Sequence, residues 1–73
     1  MQRTLPQLKT GEIETIKAVI GAPIDAKRLA DMGFVCGAEV EMVRPGRPCI
    51  VRIDGVCIAL GAAHQHRIRL ASP

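Results

Sequence analysis

The sequence predicts a small, mostly β domain: five short strands, with one short helix inserted after the first, curled into a partly closed barrel. Three observations lead there. The chain has only 73 residues, enough for one domain that buries about 60% of its unfolded surface. Apolar positions recur with a period near two along several short runs, and glycines or prolines separate those runs. A single segment, just after Pro23, carries helix signals instead. The core has to be aliphatic, because hydrophobic residues make up 48% of the chain yet include one Phe and no Tyr or Trp.

Residues 1–11 read as an entry segment. Leu5 and Leu8 pin it to the core, Pro6 discourages regular structure and Gly11 permits a turn. Glu12 to Ile20 is rich in β-branched residues and predicts a strand, with Ile16, Ala18 and Ile20 as its inward row. Gly21-Ala-Pro23 breaks that strand. Asp25 offers an N-cap oxygen to a helix over Ala26 to Met32, which Gly33 ends at the C′ position. Leu29 and Met32 share a helix face, while Lys27 and Asp31 pair across water.

After Gly37 the period becomes two, and Ala38, Val40 and Met42 form the inward row of a second strand. Arg44 to Pro48 is a loop around the turn pair Pro45-Gly46. Cys49 to Ile53 and Val56 to Leu60 flank Asp54-Gly55, a two-residue hairpin signal. That turn sets Ile53 opposite Val56, Arg52 opposite Cys57 and Cys49 opposite Leu60. Cys49 and Cys57 are then diagonal, too far apart for a disulfide. Gly61 to His66 is a connector of one helical turn. Arg67 to Leu70 closes the domain as a last strand, with Ile68 and Leu70 inward and Arg67 and Arg69 outward. Residues 71–73 are a tail. Edges in so small a sheet are best managed by closure, and an SH3-like barrel is the natural solution.

Composition excludes several function classes. One Phe cannot build the aromatic platform that stacks single-stranded bases, nor line a groove for proline-rich peptides. The net charge of +3 comes from ten Lys and Arg interleaved with seven Asp and Glu, so no basic arm or stripe marks a nucleic-acid footprint. Residues 1–17 lack the apolar stretch of a signal peptide, and no segment approaches the ~20 apolar residues of a spanning helix. A cytoplasmic protein that is not membrane-inserted is the expectation. The three cysteines then read as free thiols.

Cys36, Cys49, Cys57, His64 and His66 are zinc-ligand types, but their spacing forms no paired knuckle, so no metal and no cofactor is expected. A Cys–His nucleophile finds no local base or orienting group. The seven glycines are dispersed turn residues and match no phosphate-binding loop. A protein-binding face fits better. Leu29, Met32 and Phe34 supply apolar area there, with Arg28 and Asp31 at the rim. The bland reading of the same residues is a helix that caps the open barrel end, and both readings can hold. Arg44 and Arg47 in the loop are suited to an acidic partner, because arginine makes planar, two-pronged contacts with carboxylates.

The spacing as a whole resembles one family. Leu5-x-x-Leu8-x-x-Gly11, then Arg28-Leu-x-x-Met-Gly-Phe-x-x-Gly37, a loop reaching Pro48, Gly55-x-x-Ile-Ala-Leu60 and Ile68-x-Leu70 are similar to the ferrous iron transport protein A (FeoA) family. The resemblance spans nearly the whole chain and departs from the family in Gly61-Ala-Ala-His-Gln-His66. It implies a cytosolic SH3-like domain acting, without enzymatic activity, beside the membrane transporter FeoB, whose cytosolic part is a GTPase. Partner contacts are then expected from Arg28, Leu29, Met32, Phe34, Arg44 and Arg47, and weak self-association is compatible with them. The same fold closes the iron- and manganese-dependent repressors of the DtxR type, and the alternative is a metal-responsive or metal-binding regulatory module, either through Cys and His ligands or as such a repressor-type domain acting in trans. A chain beginning at Met1 and ending after one domain fits the stand-alone protein better.

Overall fold

The computed structural model describes residues 3–71. Its most regular part grows from the shortest signal in the sequence. Asp54 and Gly55 both take positive φ, 51° and 77°, the backbone that a two-residue hairpin turn requires and that Asp-Gly accepts readily. The turn joins β3 (Cys49–Ile53) to β4 (Val56–Leu60). The predicted register holds throughout, from Ile53 opposite Val56 to Cys49 opposite Leu60. The sheet adds β2 (Glu39–Arg44), β1 (Ile13–Val19) and β5 (Ile68–Leu70) in the order β4-β3-β2-β1-β5, and every neighbouring pair is antiparallel. One helix, α1 (Pro23–Asp31), follows β1, and a single helical turn, α2 (Ala62–Gln65), precedes β5.

The two borders of the sheet differ. On the far side of β5, Thr4 bridges to Arg69 and the Leu70 N–H donates to the Arg3 carbonyl at 2.9 Å. The 3-10 turn at Leu5–Gln7 follows directly and sinks Leu5 into the core. Glu12 secures the same segment. Its Oε1 accepts from the Lys9 N–H at 2.7 Å and from Arg3 at 3.0 Å, and these donors hold the carboxyl below its ordinary pKa. The border along β4 has no strand beyond it among the described residues.

Inside the barrel lie Leu5, Leu8, Ile16, Leu29, Phe34, Val40, Met42, Val51 and the ends of β3 to β5. The expected entry-segment leucines, the Val40 and Met42 row and the Ile68 and Leu70 pair are all fully buried. The β1 row needs correction. Ile16 pairs with Leu70, yet Val19 pairs with Ile68, so three steps on β1 match two on β5. A bulge at Lys17 absorbs the extra residue and reverses the phase of the strand. Val19, not Ile20, therefore packs on the core, and Ile20 is exposed.

The helix also starts earlier than expected. Its N-cap is Ala22, and Pro23 occupies the first helical position, where a missing N–H costs nothing and a fixed φ is already helical. Asp25 lies in the first turn rather than at the cap, where a carboxylate is favoured by the helix dipole. The end is as expected. Gly33 takes φ +104°, its N–H reaches the Ala30 carbonyl at 2.9 Å, and the Phe34 N–H reaches the Leu29 carbonyl at 3.0 Å. This double closure sets the Phe34 and Leu29 side chains together in the core.

Candidate partner-docking site

The helix end sorts the predicted contact residues into two groups. Leu29 and Phe34 are each 1% exposed, because the closure at Gly33 turns both inward. They have no free surface, and the capping-core reading describes them. Met32 is exposed, and so are Ile24 and Val35, which the sequence reading passed over. Ile24, Arg28 and Met32 stand four residues apart and follow one another along one flank of the helix. The flank is therefore two apolar side chains around one guanidinium, with Val35 beyond its end.

What positions α1 is a second missed feature. The Arg67 side chain lies across Gly21, where any Cβ would collide with its guanidinium. It reaches Asp25 in the first turn, Nη2 to Oδ2, at 3.6 Å. The sequence expectation of an outward row of Arg67 and Arg69 fails for Arg67, which is half-buried and ties β5 to the helix. Only Arg69 is exposed as expected.

Arg44 ends β2 opposite Ile50, Arg47 lies in the loop that follows, and both are exposed. Together with Pro45, Gly46, Pro48 and Ile50 they line an open depression of about 370 Å³. The loop is held from below by Gln65, the one polar side chain that the core buries among the described residues. Its Nε2 donates to the Gly46 carbonyl at 2.9 Å and to the Leu60 carbonyl at 2.9 Å. No periodicity singles out Gln65, since it follows two alanines and a histidine in a segment without strand or helix pattern.

The two groups of arginines are not on one face. Gly33 approaches Ile53 at one end of β3, while the Arg44–Pro48 loop enters Cys49 at the other. Four strand steps, roughly 13 Å, separate those ends. The helix flank and the loop are thus two separate patches.

The potential ligand residues are dispersed as well. Cys49 is buried and Cys36 and Cys57 are exposed. Burial pushes the Cys49 thiol up, which leaves it protonated and inert. Cys57 lies on the opposite face of the hairpin from Cys49, across from Arg52. Arg52 also donates from Nη1 to Glu41 Oε1 at 3.1 Å, and Cys57 first, then Glu41, raise its pKa further. His64 is half-buried and His66 exposed. Among the described residues no three of His, Cys, Asp and Glu come together to hold a metal ion. No helix among them is long and apolar enough to cross a membrane.

Known structures share this architecture. An iron uptake regulatory protein (FeoA) superposes with a TM-score of 0.89 at 22% identity, over 96% of each chain. FeoA of Stenotrophomonas maltophilia, an SH3 domain protein solved in complex with zinc, is 29% identical, with a TM-score of 0.82 over 93% of this chain and 88% of that one. A manganese-dependent transcriptional repressor matches 99% of this chain with a TM-score of 0.87 and 18% identity, and the match covers 42% of the repressor. No curated protein matches the chain. The family model of the FeoA domain matches residues 3–71, which is the whole of the described barrel, and the chain belongs to that family.

Proposed function

We propose that this chain is a non-enzymatic accessory and regulatory protein of ferrous iron uptake that works in the cytoplasm by binding the FeoB membrane GTPase transporter. Membership of the FeoA domain family is the observation that carries this reading. The surface supports it. The exposed flank of Ile24, Arg28 and Met32 offers apolar area with a charged centre, the composition of interface cores, and the Arg44–Arg47 loop adds charge that speeds encounter with an acidic surface.

Co-purification from membranes that contain the transporter tests the proposal. The wild-type chain is expected to be retained, and Met32→Glu to be lost while its circular dichroism stays unchanged. Absence of retention, together with unchanged ferrous uptake when the chain is deleted, would overturn it. The second reading is a metal-responsive module, favoured by the zinc bound to the S. maltophilia protein. Stoichiometric metal in chain purified without chelator, lost on Cys57→Ser, would select that reading.

A further inference from the structure

The Arg44–Pro48 depression has a chemistry that the docking proposal leaves undefined. Arg44 and Arg47 have no ion-pair or hydrogen-bond partner among the described residues. Glu41, the acid nearest to them on β2, is already engaged by Arg52. The Gly46 carbonyl, an acceptor at the tip of the loop, is turned inward onto Gln65. The depression is therefore lined by two unpaired guanidinium side chains together with the apolar Pro45, Pro48 and Ile50. Two prolines and the Gln65 contact fix the loop before anything binds, which lowers the entropy cost of occupation.

We propose that this depression receives a short acidic segment of a protein partner, with carboxylates on Arg44 and Arg47 and one aliphatic side chain against the apolar part of the lining. Charge complementarity decides the occupant. Arginine grips a planar carboxylate through two parallel N–H donors, and a lining that includes two prolines rewards an aliphatic group rather than a second charge. A nucleic-acid strand fits poorly, since two cations give little phosphate attraction and bases need aromatic faces to stack on. The chain's single aromatic residue, Phe34, is buried in the core. The inference deepens the docking reading and rests on it only for the identity of the partner.

Titration of the isotope-labelled chain with a synthetic decapeptide, two glutamates flanking a leucine, tests the site by amide chemical shift. The resonances of Gly46, Arg47 and Ile50 are expected to move saturably. The same peptide with lysine in place of glutamate is expected to leave them still. Arg44→Glu and Arg47→Glu each weaken binding about tenfold or more, as loss of a charge-assisted contact predicts. Both side chains are exposed, so the variants keep the wild-type fold, and the remaining cross-peaks verify it.

Equal binding by the double variant would overturn the proposal. A ten-nucleotide poly-thymidine that binds more tightly than the peptide would reassign the site to phosphate polymers. Shifts at these amides that grow with protein concentration alone would reassign it to a second copy of the chain. Membrane co-purification separates the two levels. Retention that depends on Met32, without peptide binding, leaves transporter docking standing and removes the acidic-segment site, whereas peptide binding without retention does the reverse.

Discussion

Two turns reverse the chain within the β2–β3–β4 ladder, and they are held in different ways. Asp54-Gly55 relies on its own backbone, two residues in a conformation that few other pairs accept. The Arg44–Pro48 loop depends on Gln65, which lies 19 positions away from Gly46 in the chain. A turn of the first kind is a local property and sets the register of everything beside it. A loop of the second kind takes its shape from the finished barrel, so its outward surface is free to carry arginines. The difference teaches where this small domain keeps its working surface: on the turn that the rest of the fold has to hold.

The comparison can be broken at several points. The largest expected effect is on thiol chemistry across the Asp54-Gly55 hairpin. Cys57 should alkylate at least about 100-fold faster than Cys49, because Cys49 reacts only when the barrel opens. Iodoacetamide labelling followed by peptide mass spectrometry reads the ratio, and equal rates would mean that the self-contained turn does not fix the hairpin's phase. Next comes Gln65→Ala, which strips two carbonyls of their buried donor and is expected to cost about 2 kcal/mol in denaturant unfolding. The resonances of Gly46 and Arg47 should shift at the same time while the amides of β4 keep their exchange protection.

Gly55→Ala sharpens the other side. Nothing lies within 4 Å of a Cβ placed there, so the cost is purely conformational, about 1 kcal/mol at positive φ. A larger loss would show that the turn is also held from outside. The smallest effect concerns the Lys9–Glu12 turn, which is closed by a charged side chain. The Glu12 carboxyl titrates below its ordinary value of 4.5 in the folded chain. Its contribution is therefore complete above that value and is lost as pH falls through the lower, folded one. Glu12→Gln should lower stability slightly at neutral pH, flatten the acid limb of the stability curve and leave the low-pH end nearly unchanged.

The same contrast explains what could be read from the sequence. The β3–β4 register, the buried faces of β2 and β5 and the glycine stop of the helix all follow from neighbours in the chain. The bulge at Lys17 does not, since Ile16 and Val19 fall into phase only against Ile68 and Leu70, some 50 positions on. Arg67 escaped for a related reason. Its outward place in an alternating strand is correct locally, but Gly21 leaves room for it to fold over the start of α1. At the candidate site, Leu29 and Met32 share a helix face by spacing, yet the closure at Gly33 buries one and exposes the other. Ile24 and Val35 carried no signal because an exposed aliphatic residue looks like a core residue in one dimension.

The unequal borders of the sheet have a consequence for assembly. Among the described residues β4 has no strand beyond it, whereas Arg3 and Thr4 line the far side of β5. Such a sheet can accept one additional strand and then has nothing left to offer. Two copies that met along β4 would consume both open borders, so edge pairing ends at a closed pair and cannot propagate into a fibre. Arg3 and Thr4 therefore act as a terminator on that side of the sheet, leaving β4 as the border along which a further strand can add.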